Sequence, residues 1–209
     1  MDRARSCRLI AALLLVLVSC TRALSQPSMI HEINGVPIHV REDFMYLGLT
    51  PDIFGMKIKG LNNPNRLVFG NPWRFHLFVR VDRDSLVREF LFIIDKRSQL
   101  AHIYIAMPGE PVEFLGLRFN EAFAETDADQ NEHLANYLAT KGLLLDYQGR
   151  LHNLLMSYRV SNAQAYTIRY GMPASSLPPE SREGEAEHEF LRQSLRSVLM
   201  KGTIKNPTP

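Results

Sequence analysis

Seven histidines are the residues best suited to chemistry in this chain: His31, His39, His76, His102, His133, His152 and His188. An imidazole titrates near neutrality and ligates metals, so each is a candidate acid, base or ligand. Their spacing contains no His-Glu-x-x-His pair, and both cysteines, Cys7 and Cys20, fall close to the N-terminus. The body of the chain therefore has no thiolate nucleophile, no cysteine metal ligand and no disulfide. No metal site and no cofactor are predicted. His76 and His102 lie on stretches that read as neighbouring strands and can meet there, on a face where histidines are ordinarily solvated.

Other chemistries are weighed the same way. The segment from Asp127 through Asp129 to Asn131 resembles the opening of an EF-hand calcium loop. Glu132 then stands where that loop needs glycine, and Leu138 where it needs glutamate. A helix start explains these carboxylates better. Gly-x-Ser-x-Gly is absent, and so is a glycine-rich phosphate loop ending in Gly-Lys-Ser/Thr. Nucleotide chemistry is thereby disfavoured. A motif-less triad through Ser85, Ser157 or a distant Asp–His pair stays open, because such triads are recognised by geometry. Trp73, Phe75, Phe78 and Tyr104, with Phe90 and Phe92 nearby, are candidates to line an apolar ligand site. Core packing under a helix is the competing role.

The elements that must hold these residues show in the hydrophobic pattern. Asn34-Gly35 between short apolar stretches predicts a hairpin, with Pro37 on an edge strand. Residues 43–72 are rich in glycine, proline and asparagine and read as loops with short strands near Gly55–Ile58 and Arg66–Phe69. From Trp73 to Val81 apolar and polar residues alternate with a period of two, the signature of a half-buried strand. Leu86 to Ile94 and Leu100 to Ala106 continue it as an antiparallel meander, with turns at 82–85 and 95–98. A helix is predicted over 127–141, with Asp127 and Gln130 as a capping box, Leu134, Tyr137 and Leu138 on one face, and Gly142 after its end. Leu143–Leu145, Leu151–Val160 and Tyr166–Tyr170 read as further strands. Residues 172–182 read as a Pro/Ser linker. An acidic start from Glu183 then opens a helix through Leu199, with Gly202 as its cap and a disordered tail to Pro209. That helix can fold back on its own sheet or dock on a partner.

Composition sets the frame. The chain has 209 residues, of which 45% are hydrophobic and 22% charged, enough for one globular core. Residues 1–19 contain three of its 24 basic and one of its 22 acidic residues, which leaves 21 of each beyond them. That near-neutrality argues against a nucleic-acid partner, which requires a net-basic face.

The N-terminus carries the most specific signal. Arg3, Arg5 and Arg8 precede an apolar run from Leu9 to Val18. The run is too short to span a bilayer and fits the core of a signal peptide. Ser19-Cys20 follows directly. Leu17-Val18-Ser19-Cys20 resembles the lipobox of bacterial lipoproteins, and the resemblance covers about the first 21 residues. It implies cleavage before Cys20, diacylation of its thiol, and stable anchoring by more than one acyl chain. Thr21 is not the aspartate associated with inner-membrane retention, so the resemblance points to the outer membrane, facing the periplasm. The competing route is ordinary cleavage after Ser25, at the small-x-small site Ala23-Leu24-Ser25, giving a soluble periplasmic or secreted protein.

The expectation is an α+β protein whose antiparallel sheet of five or more strands is packed by one or two helices. Its parts are a signal peptide (1–19), a lipidated cysteine and tether (20–29), the domain (30–171), the linker (172–182), and a C-terminal helix with its tail (183–209). The expected function is that of an envelope lipoprotein binding an envelope protein partner, through the C-terminal helix, or an apolar ligand at Trp73, Phe75, Phe78 and Tyr104. A motif-less envelope hydrolase is the alternative.

Overall fold

Asn34 and Gly35 adopt φ of 49° and 77°, so both central residues of the predicted turn are left-handed. They join β1 (Ile30–Ile33) to β2 (Val36–Val40) in antiparallel register, Ile33 opposite Val36. The computed structural model describes residues 30–50, 74–97, 109–146, 149–182 and 184–202. The signal peptide, Cys20, Trp73, His102, Tyr104, the short strands expected near 55–58 and 66–69, the run 100–106 and the tail beyond Gly202 lie outside these residues.

Two antiparallel sheets organise the described residues. The larger has seven strands in the order β3-β4-β5-β9-β8-β7-β6. They are β3 (Met45–Thr50), β4 (Arg74–Val81), β5 (Val87–Arg97), β6 (Glu110–Phe114), β7 (Leu117–Thr126), β8 (Leu151–Arg159) and β9 (Gln164–Pro173). The smaller sheet places β2 between β1 and β10 (Leu199–Lys201). Helix α1 spans Ala128–Ala139 and helix α2 Gly184–Val198. The expected α+β class, with an antiparallel sheet packed by helices, is the fold observed.

The large sheet is buried on both sides. On one face Ile33, Ile38 and Val40 of the small sheet and Leu191, Leu195 and Val198 of α2 pack with Leu91, Ile93, Leu154, Met156, Ile168 and Tyr170. On the other, Leu134 and Leu138 of α1 join Leu143 and Leu145 over Leu77, Val79, Phe90, Phe92 and Ile94. Each fully buried aliphatic or aromatic side chain contributes about 1.5–3 kcal/mol through loss of apolar surface to water. On the first face the Tyr170 hydroxyl donates to Glu89 Oε2 at 2.8 Å, and Arg80 Nε donates to Glu89 Oε1 at 2.8 Å. The core therefore encloses a carboxylate whose two oxygens are both bonded. Burial and the adjacent carboxylate push the Tyr170 phenol well above its ordinary pKa.

Several local expectations change. Pro37 lies on the central strand of the small sheet, not on an edge. It is tolerated because the β10 pairing ends at Lys201 opposite Ile38, and the link beyond uses only the Pro37 carbonyl, which accepts from Gly202 N at 2.8 Å. β5 extends through Asp95 to Arg97, into the turn expected at 95–98, because these residues pair with Tyr166, Ala165 and Gln164 of β9 and Asp95 is held by Arg97 Nε at 3.0 Å and Gln164 Nε2 at 3.4 Å. Leu143–Leu145 is a packed loop, not a strand, with one parallel bridge from Leu144 to Leu86. No capping box closes α1 through Asp127. Asn131 instead reaches back, its Nδ2 donating to Thr126 O at 2.9 Å. The stretch read as a Pro/Ser linker is packed on the domain: Met172 and Pro173 end β9, two 3-10 turns follow, and Leu177 is 2% exposed. The C-terminal helix stops at Val198, where the chain turns into β10.

Candidate functional site

Helix α2 meets the sheet through a seam whose upper end is polar. Glu187 falls in phase with Leu191, Leu195 and Val198, at intervals of four, four and three, so helical period turns it inward with them. It lands over β8, where His152 faces the same side as Leu154 and Met156. His152 is paired in register with Glu125 on β7. Three elements therefore deliver three side chains to one place.

The geometry is close. His152 Nδ1 lies 2.7 Å from Glu187 Oε1 and 3.9 Å from Glu125 Oε1. The side chains of His152 and Glu187 are 7% and 9% exposed, while Glu125 is 44% exposed and opens the cluster to solvent. Arg150 Nη1 donates to the outer oxygen of Glu125 at 2.8 Å. Among the described residues this is the group of three histidine or carboxylate side chains whose ligand atoms all lie within 4.8 Å of one another.

The seam continues along α2. The His188 ring stacks on Phe123 at 3.8 Å between centroids. Arg192 lies over the same ring and donates from Nε to Glu121 Oε1 at 2.8 Å and from Nη1 to Glu185 Oε1 at 2.9 Å. Those bonds hold the Glu185 carboxyl below its usual range. A narrow cleft beside them, lined by Val112, Phe114, Met156 and Leu195, offers about 10 Å³, room for one water.

A second polar cluster joins the two sheets. His76 on β4 was read as a histidine on a solvated face that could meet His102; His102 lies outside the described residues, and His76 is half-buried. His76 meets His31 of β1 instead, edge to ring at 4.5 Å, and its Nδ1 is 2.9 Å from the Tyr46 hydroxyl. Burial, with the His76 charge adding to it, lowers the His31 pKa to about 4. His31 Nε2 is buried without a hydrogen-bond partner among the described residues. Burial lowers His76 as well, with Arg74 adding to the shift.

The remaining candidates fall as follows. Phe75 and Phe78, both 2% exposed, belong to the cores on opposite faces of the sheet, so the two cannot line one ligand cavity. Ser157 Oγ pairs with Thr167 Oγ1 at 3.3 Å, and Ser85 occupies the 82–85 turn with φ of 62°. Asp127 stands at the N-cap of α1 but makes no side-chain capping bond, so the capping reading of its carboxylate does not hold; its carbonyl accepts from Asn131 N, and Asn131 Nδ2 donates to Thr126 O. His133 is exposed on α1 and His39 lies on β2. Glu125 and Glu187 escape sequence reasoning. Glu187 reads as one more solvated acid at a helix start, and its phase with the leucines is the signal that marks it.

The fold and this seam define an α+β protein with a buried histidine–carboxylate cluster between sheet and C-terminal helix. The chain matches no protein-family profile, no curated protein and no solved structure.

Proposed function

We propose that this chain is a lipoprotein of the bacterial cell envelope, anchored through acylated Cys20 and acting by binding a partner protein. The observation that carries the reading is the register of Arg3, Arg5 and Arg8, the apolar run Leu9–Val18 and Ser19-Cys20. In this reading the tether is short. β1 begins at Ile30, and the roughly ten residues between it and Cys20 reach at most about 35 Å. The domain is thus held close to the membrane surface, on the periplasmic side of the outer membrane in this reading.

A protein partner is preferred to an apolar ligand, because Phe75 and Phe78 are core residues on opposite faces. The apolar side of α2 is covered by its own sheet, so contact through this helix uses its outward polar side, Glu185, Glu189, Gln193 and Arg196. The hydrolase alternative asks for a histidine beside a carboxylate in a concave pocket. His152 and Glu187 supply the pair, but both are buried at the seam. Fractionation of the native host tests the anchor. The wild-type chain is expected to stay with membranes through a high-salt wash, and Cys20→Ser to move to the soluble fraction. Wild-type protein that is itself soluble contradicts the reading.

A further inference from the structure

We infer that Glu125, His152 and Glu187 form a site for one divalent transition-metal ion of the zinc class, which fastens helix α2 to strands β7 and β8. Three observations lead there independently of the lipid anchor. The first is donor chemistry. One imidazole nitrogen with two carboxylate oxygens suits a borderline ion such as Zn²⁺, whereas an all-oxygen set suits Mg²⁺ or Ca²⁺.

The second is spacing. Tetrahedral zinc with bonds of about 2.0–2.2 Å sets donor atoms roughly 3.3 Å apart. His152 Nδ1 stands 2.7 Å from Glu187 Oε1 and 3.9 Å from Glu125 Oε1, on either side of that value. All three donor atoms lie within 4.8 Å of one another, so closing the wider gaps around an ion falls to side-chain rotation. The His152–Glu187 hydrogen bond is then the metal-free arrangement of the same atoms.

The third is burial and access. His152 and Glu187 have 7% and 9% side-chain exposure, in a place where a carboxylate needs compensation. The Arg150 guanidinium is bonded to Glu125, and the contact made by Glu187 is His152 Nδ1 at 2.7 Å. Glu125, at 44% exposure, gives the ion its route from solvent and leaves a coordination position for water. Its outer oxygen, held by Arg150, orients the ligating one, as outer hydrogen bonds do in metal sites.

The test is titration of the full chain in detergent, stripped with EDTA and carrying Cys7→Ser and Cys20→Ser so that thiols do not bind. Isothermal calorimetry with Zn²⁺ and the visible spectrum with Co²⁺ are the readouts. One equivalent is expected to bind, with a rise in Tm that EDTA reverses. Glu125→Gln, at a position 44% exposed, is expected to stay folded by circular dichroism and to weaken binding at least about tenfold. His152→Gln is expected to abolish the Co²⁺ spectrum. A folded wild-type chain that takes up no Zn²⁺, or a Glu125→Gln variant that binds as tightly as wild type, overturns the assignment.

Discussion

His152 Nδ1 and Glu187 Oε1 lie 2.7 Å apart and 35 residues apart in sequence, so a single hydrogen bond ties the first turn of the C-terminal helix to a strand inside the large sheet. Both side chains are buried. Removing one partner leaves the other, at 7% or 9% side-chain exposure, without that bond. In metal-free protein, Glu187→Leu or His152→Leu is expected to lower unfolding stability by about 3 kcal/mol. The double variant His152→Leu/Glu187→Leu is expected to lose much less, since two apolar groups leave no unpaired charge. Urea unfolding of the four proteins gives the coupling energy. Additive losses would mean that the pair does not interact.

The junction between the sheets carries a pH dependence of definite sign. Burial lowers the His31 pKa from 6.5 to about 4, so the folded state holds this ring neutral where the unfolded chain protonates it. Between those two values the unfolded state binds more protons, and stability therefore falls as pH falls from about 6.5 towards 4. Allowing for partial exposure, His31 accounts for about 1 kcal/mol across the window. His76 shifts in the same direction. His31→Phe keeps the ring contacts with Phe78 and His76 and removes the unpaired Nε2. Its urea midpoint is expected to change less between pH 7.5 and pH 5 than that of wild type. An equal change in both proteins would contradict the assignment.

Gly171 on β9 is fixed by close approach. A Cβ there would meet Phe90 Cζ at 2.4 Å and Asn153 Oδ1 at 2.7 Å. That oxygen accepts from Arg169 Nε at 2.9 Å, while Asn153 Nδ2 donates to the carbonyls of Leu151 and Ala124. Gly171→Ala therefore displaces an aromatic ring and a satisfied buried amide together. A loss of about 1–3 kcal/mol is expected. Phe90→Leu in the same chain, which frees space on one side, should recover part of it. A neutral Gly171→Ala would show that the sheet yields at this point.

The elements that the sequence reveals are those governed by local chemistry. Asn34-Gly35 specifies its own left-handed turn, period two marks β4, and apolar spacing marks α1. The β6–β7 hairpin is hidden because its turn residues are Leu115 and Gly116, with φ of 55° and 78°. A leucine in the left-handed region announces no turn; tertiary packing imposes it. β5 is buried on both faces and so reads as a continuous apolar run instead of an alternating one. β10 is three residues long and exists through its pairing with β2. The histidine cluster was half visible. His152 stood out as a titratable residue, but its partners come from another strand and from a helix. Only the fold brings them within reach.

In the proposed reading a lipid anchor on Cys20 decides where the domain acts, and intact-mass measurement tests that proposal most directly. The protein is purified from membranes of its own host, beside a Cys20→Ser variant. The account predicts a wild-type mass that begins at Cys20 and carries added acyl chains, and a variant that lacks them. A wild-type mass beginning at Gln26 with no lipid would contradict the anchor and make the chain a soluble exported protein.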